Sequence, residues 1–489
     1  MKRSKPNVLV VASEAAPLAK VGGLGDVVGS LPLALKELGC RIAVALPAYR
    51  EIKGACKNWE AVAKDLPVRL GALRLTADVF VTELAPGVPT YLIRRDEFFD
   101  RSGLYGTNRG EYFDNPERFI FFSRSIFGLC SAIGFLPDVI LANDWQTGLI
   151  MCLLDEGAMP QTAGVFVIHN IGYLGLVPPE RIGNIGLPDR YYSTQGLEYY
   201  GQMSLLKAGI LYAQAVVTVS PTYAREIQTS DYGGGLDGLM RSVSRRLYGI
   251  LNGVDLKTWN PSADQHLAAT YSRQDLGGKT VCKRDLLKVL GLPMELLDKP
   301  LVGMVTRLVD QKGCKLILEA AEDLFALDLG LVVLGAGDES YESLFSELQA
   351  SNPHRFGLRL GLDPDLAHKV MAGCDMVLVP SLYEPCGLTQ MFGLRYGTIP
   401  VVRATGGLQD TVLDPNDGHR PGTGFKFKEF RGSDLVQAVG RAVKTYRERR
   451  DWRAMMLEAM AQDFSWDRSA KEYLRVFERA VAARRGGRI

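Results

Sequence analysis

Three stretches of the chain carry the residue types that phosphate and sugar chemistry require. Lys20, Gly22, Gly23, Gly25 and Asp26 follow the first apolar run, Val8–Ala12. Glycine there serves one of two ends. It permits a tight strand-to-helix turn, or it lets backbone close on a phosphate or sugar with the next helix's N–H groups aimed at it. Spacing alone separates neither. It is not a dinucleotide fingerprint, because Gly23 and Gly25 would need glycine at 28, where Val28 stands, and Gly335 and Gly337 fail the same test at Ser340. In the second half, Arg307 and Lys312 flank the approach to Gly313 after the run Leu301–Val305. A basic pair is commonly a solvated surface feature. Beside Thr405, Gly406 and Gly407, which open another helix, it also suits a diphosphate held without a metal. Glu384, with Cys386, Gly387 and Leu388 close behind, follows the run Met376–Val379. A carboxylate there is costly to bury without a partner, so it either caps the next helix or meets a substrate.

Two further groups stand at strand ends: Asp144 after Val139–Ala142, and His169 after Val165–Ile168. A single histidine in such a place commonly packs and hydrogen-bonds. The chain has five histidines, none at ligand spacing, so no metal site is expected. Asp363 and Asp365 match the acid pair of metal-dependent transferases, but they precede the helical stretch Leu366–Ala372 and read as an N-cap.

The elements that must position these groups are short β-branched apolar runs alternating with longer helical patterns. Besides those named, they include Ile42–Leu46, Ala215–Val219, Leu331–Leu334 and Pro400–Val402. Runs apolar throughout indicate parallel strands covered on both faces. The expected fold is α/β, two doubly wound Rossmann-like domains facing across a cleft, with ligands outside the carboxyl ends of the strands. The boundary is expected at 248/249, where a helical stretch yields to Gly249–Gly253. A charged amphipathic tail, Arg468–Arg484, places Ala470, Tyr473, Leu474 and Phe477 on one face.

A chain of 489 residues calls for two cores. Its net charge of +2 gives no reason to expect nucleic acid or an anionic membrane as partner. The eight cysteines, at 40, 56, 130, 152, 282, 314, 374 and 386, show no CxxC spacing and read as reduced thiols. Basic Met1–Lys5 before an apolar run faintly suggests a signal peptide, but the run is too short and Ser13 and Glu14 interrupt it. No stretch approaches the roughly 20 apolar residues of a membrane span. A cytoplasmic protein is expected.

From Ser13-Glu-Ala-Ala-Pro17 to Phe464-Ser-Trp466, the chain resembles the bacterial glycogen synthase and plant starch synthase family. The most specific segments are Lys20 to Asp26, Ile250 to Asp255 and Pro380 to Gln390; Asp100, Arg101, Gly103 to Tyr105, and Asp114 to Phe119 add to them. The resemblance implies the GT-B fold, with 1–248 on the acceptor side, 249–465 binding the nucleotide sugar, and the helix 466–489 returning to the first domain. It implies retaining transfer of glucose, without metal or cofactor, from ADP-glucose to the non-reducing 4-hydroxyl of glycogen or a malto-oligosaccharide. Arg307 and Lys312 would neutralise the leaving diphosphate. Gly22, Gly23 and Thr405 to Gly407 would supply backbone contacts, while Asn252 and His169 would hold glucose hydroxyls. Asp144 would lie near the reacting carbon, and Glu384 would position the sugar. Lys20, Asp26, Tyr105, Cys386, Gly387 and Leu388 complete the implied binding set. No positioned nucleophile is evident for a double inversion, so front-face attack is the expected route to retention.

Three departures matter. The family's His-Asp-Trp-His pattern reads Asn143, Asp144, Trp145, Gln146; Phe392 stands where many retaining GT-B enzymes carry a second acid, as an apolar or aromatic residue does in glycogen synthases; and Leu362 takes the place of an aromatic that stacks on the donor base. The competing readings are a UDP-glucose transferase or another acceptor, a nucleotide-sugar isomerase, a phosphorylase with pyridoxal phosphate, and a silent glucan-binding subunit. Lys20, Arg307, Lys312 and Glu384 together argue against silence.

Overall fold

The computed structural model describes residues 5–55, 59–107 and 109–486. Cys56 and most of the basic N-terminal stretch lie outside the described residues; the other seven cysteines are free and buried.

The chain forms two compact units, Met1–Gly253 with Trp466–Ile489, and Val254–Ser465. The first is built on a sheet of nine strands. In chain order they are β1 (Asn7–Val11), β2 (Arg41–Pro47), β3 (Glu60–Leu70), β4 (Leu73–Ala85), β5 (Val88–Arg94), β6 (Val139–Asn143), β7 (Ala163–Ile168), β8 (Ala215–Thr218) and β9 (Leu247–Gly249). Their spatial order is β9-β8-β7-β6-β1-β2-β5-β4-β3. Seven of them run parallel, with Val8 flanked by Ile42 and by Val139. β3 and β4 add an antiparallel edge. β3 escapes an apolar-run reading because it is largely exposed and interleaves charged residues with apolar ones; a strand wet on its faces lacks the pattern of a buried one.

The second unit holds six strands, all parallel: β10 (Leu301–Val305), β11 (Gly330–Gly335), β12 (Phe356–Leu360), β13 (Met376–Val379), β14 (Ile399–Arg403) and β15 (Phe425–Phe427). Their order is β12-β11-β10-β13-β14-β15. Leu331, Val333, Met376, Leu378 and Val401 are 0–1% exposed, so this sheet is covered rather than solvated.

The division falls five residues beyond the expected 248, and the physical reason is local. β9 is the edge strand of the first sheet, and the Ile250 N–H still donates to the Thr218 carbonyl at 2.8 Å. The Leu251 carbonyl accepts from Ser469 Oγ, and Gly253 lies against Trp466, where a Cβ would overlap the indole. The C-terminal helix Trp466–Arg484 packs on Gly23–Glu37 and β7, with Ala470, Tyr473, Leu474 and Phe477 buried. Asp363 caps Pro364–Gly373 through its carboxylate and the Leu366 N–H at 2.9 Å.

Both sheets reverse their winding next to the first strand: between β1 and β6 in one, between β10 and β13 in the other. Crevices at the carboxyl ends of strands open at such points. The loops leaving those four strands carry Glu14 to Asp26, Asp144, Arg307 to Lys312, and Ser381 to Leu388.

Candidate active site

The glycine loop after β1 is held from beneath by a residue that sequence reasoning passed over. Glu14 is 4% exposed. One of its oxygens accepts from the backbone N–H of Val21 (2.7 Å) and of Gly22 (2.9 Å), and the other from the Tyr105 hydroxyl (2.7 Å). Tyr105 also meets Ser13 Oγ at 2.7 Å, so the structure places this hydroxyl inside the buttress of the loop. Gly25 is demanded by the protein, since a Cβ would stand 2.9 Å from Lys20 Cγ and 3.3 Å from Glu14. At Gly22 and Gly23 a Cβ would meet nothing within 4 Å among the described residues. Lys20 pairs with Asp26 at 2.7 Å, both side chains partly exposed.

A carboxylate directly after an apolar strand is the signal that singled out Glu384, and it was equally present at Glu14. Removing it leaves two amide donors and one hydroxyl without their acceptor, a loss of about 1–3 kcal/mol. We expect Glu14→Ala to speed amide exchange at Val21 and Gly22 and to lower turnover about tenfold, which hydrogen-exchange mass spectrometry and steady-state rates would measure together.

Asp144 and His169 come together at the ends of β6 and β7. The Asp144 carboxylate accepts from the His169 backbone N–H at 2.8 Å. Burial pushes its carboxyl up to about 7, against the lowering effect of the His169 and Asn170 N–H groups. Its backbone stands at φ 55, ψ −179, a conformation side chains rarely adopt. Burial holds the His169 ring down to about 3, so it is neutral. Asn252 is 5% exposed, and its Oδ1 is buried with no partner among the described residues.

In the second unit Lys312, Glu384, Gly387 and Leu388 line one small cavity of about 60 Å³ with Thr306 and Ser381. Lys312 Nζ meets Glu384 at 2.6 Å, and Ser381 Oγ donates to the same carboxylate oxygen at 2.8 Å. Glu384 is 6% exposed. Gly313, at φ 76, brings its turn against the Pro380 carbonyl, and the Leu382 N–H donates to Gln311 at 2.8 Å. The cation and the carboxylate therefore sit on two loops tied by backbone. Gly406 and Gly407 lie against the Glu384 and Cys386 carbonyls, where a Cβ on either would overlap them. The Gly407 N–H donates to the Glu384 backbone carbonyl at 3.1 Å. Gln390 completes this clamp, its amide donating to the Cys386 and Gly387 carbonyls and to Thr411. The Thr405 to Gly407 turn thus braces the Glu384 loop from behind. Cys386 is buried within it, and Arg307 stands exposed outside the cavity lining.

Residues 7–242 match the starch synthase catalytic domain family, and 294–455 match glycosyl transferases group 1. The chain is 51% identical over 480 residues to the glycogen synthase of Desulfatibacillum aliphaticivorans, covering 98% of this chain and 99% of that one. The chain belongs to the glycogen and starch synthase family. The glycogen synthase of Syntrophotalea carbinolica is 44% identical, covering 97% and 99%. The catalytic domain of starch synthase IV from Arabidopsis thaliana, solved with ADP and acarbose, matches at a TM-score of 0.90 and 32% identity, covering 98% of this chain and 100% of that one. Sucrose-phosphate synthase from Thermosynechococcus elongatus shares the fold at a TM-score of 0.61 and 18% identity. The two Rossmann-like units are those of a GT-B glycosyltransferase.

Against this synthase background the departures acquire physical meaning. Phe392 stacks on Trp259 (3.8 Å between centroids, 9°), whose other face takes His368 (4.0 Å, 3°). An acid there would break an aromatic stack, so the position serves packing. Leu362 is 91% exposed and offers no ring. Gln146 is 7% exposed, with its Oε1 buried and unpartnered among the described residues.

Proposed function

We propose that this chain is a glycogen synthase transferring glucose, with retention, from ADP-glucose to the non-reducing 4-hydroxyl of an α-1,4-glucan. The observation that carries this reading is the pair of partly exposed Lys312 and buried Glu384 at the strand ends of the second sheet. Lys312 supplies positive charge where a leaving diphosphate gains negative charge, and Arg307 adds an exposed cation on the same loop. Glu384, kept beside an ammonium and a hydroxyl, faces the sugar as an acceptor and opposes positive charge at the reacting carbon. On the first unit, Asp144 and neutral His169 receive sugar hydroxyls, and the buried Asn252 Oδ1 stands ready for another. No described residue requires glycine at 22 or 23. That favours a ligand approaching the loop over a turn constraint.

Both carboxylates are engaged by protein donors, Glu384 by Lys312 and Ser381, and Asp144 by the His169 N–H. Such bonds weaken a nucleophile, which supports front-face attack guided by the leaving phosphate. Trapping a glucosyl ester on either residue would overturn that route. In this reading the first unit takes the acceptor glucan, the second takes the donor, and the enzyme works in the cytoplasm.

UDP-glucose is the rival donor, because exposed Leu362 replaces a stacking ring. Glucose incorporation into glycogen from ADP-glucose and UDP-glucose, each with EDTA, tests the proposal. We expect chelator-insensitive transfer with ADP-glucose preferred. Preference for UDP-glucose would revise the donor and point to Leu362; transfer from neither would overturn the reading.

A further inference from the structure

Asn143 ends β6 at 1% exposure, one residue before Asp144. Its Nδ2 donates to the carbonyls of Val11 on β1 (3.1 Å) and Leu141 on β6 (3.2 Å). Those two carbonyls fix the amide's direction, since turning it over would press its oxygen against both of theirs. Asn143 Oδ1 therefore faces His169 Nε2 at 3.0 Å. An amide oxygen only accepts, so Nε2 carries the proton. In a neutral ring the other nitrogen is then an acceptor. No described residue donates to Nδ1.

We propose that Asn143 is a positioning residue that locks His169 in the Nε2–H tautomer, so that Nδ1 receives a hydrogen bond from a substrate hydroxyl. The inference rests on the reading above, in which a sugar meets His169. It also specifies the ligand. A lone pair beside the Asp144 carboxyl admits a neutral hydroxyl and turns away a carboxylate or phosphate at the same position, because an anion brings no donor and adds like charge. It accounts as well for the departure from the family pattern. A histidine at 143 also offers one donor and one acceptor nitrogen, enough to bond a backbone carbonyl and still receive the His169 proton.

The test uses full-length protein carrying ¹⁵N-histidine, compared with Asn143→Leu and Asn143→His. Ring-nitrogen spectra report the tautomer without substrate, so this arm stands even where the transferase reading fails. We expect the Nε2–H form at His169 in the parent and in Asn143→His, whose turnover stays within about threefold. Asn143→Leu should populate both tautomers and lower kcat about tenfold, with ADP affinity unchanged because that ligand belongs to the second unit. An Nδ1–H form in the parent overturns the proposal, and so does a Leu variant that keeps the Nε2–H form or full turnover. Should Asn143→Leu not fold, the parent and His-variant spectra decide alone.

Discussion

We expect Glu384→Gln to lower turnover by about two to three orders of magnitude while leaving the fold in place. The amide matches the carboxylate in shape and still accepts from Ser381 Oγ and Lys312, so no buried donor loses its partner. What disappears is the negative charge that the proposed function sets against the reacting carbon; in enclosed sites such interactions contribute roughly 3–4 kcal/mol to a barrier. Lys312→Met removes the opposite charge and acts differently. It leaves a carboxylate that is 6% exposed with only a hydroxyl, so stability falls along with turnover. Thermal unfolding beside steady-state rates separates the two: an unchanged midpoint for Glu384→Gln, a lowered one for Lys312→Met. The double variant should be scarcely slower than the worse single, because the groups form one unit. Near-normal turnover in both singles would remove the pair from the site.

How far the sequence foretold this arrangement can be read from particular residues. Apolar runs locate nearly every buried parallel strand, because burial on both faces leaves no alternation to confuse them. The candidate groups were legible for the same reason: a charged residue right after such a run has nowhere to go but a strand's carboxyl end. The purpose of each glycine was not legible. Gly406 and Gly407 permit backbone to close on the Glu384 loop, Gly25 makes room for Lys20, and Gly22 and Gly23 have open space. All five look alike in sequence, since what distinguishes them is a contact that only the fold creates, with Lys20, Glu384 or Cys386, or none at all among the described residues. Glu14, Ser381, Gln390 and Asn143 were given no role of their own because each acts by bonding backbone or another side chain, and a hydrogen-bonding partner leaves no mark on spacing. The Glu384 turn shows how the two kinds of residue combine. One carboxylate faces the cavity, while an amide, a hydroxyl and two glycines hold its loop still.

The rate should depend on pH through Asp144. Its carboxyl is raised to about 7 by burial, so in the free enzyme it is neutral below that value and anionic above. An anion opposes positive charge at a reacting sugar carbon; a neutral acid does not. We therefore expect kcat/KM to rise with pH through about 7 and then level off. Asp144→Asn keeps an oxygen for the His169 N–H but cannot ionise, so its profile should be flat there and its plateau about a hundredfold lower. Stability should move the other way. Raised above the usual 3.8, this group favours the fold while neutral, an advantage present in full below 3.8 and lost as pH rises through about 7. The parent should thus lose stability across that window and the Asn variant should not, so the variant is the more stable protein at pH 8 and the poorer catalyst. The positive φ at Asp144 points the same way, since strain of this kind collects where function outweighs stability. A rate that instead falls through pH 7, with the fall absent in Asp144→Asn, would make the neutral acid the working form and assign Asp144 to proton donation.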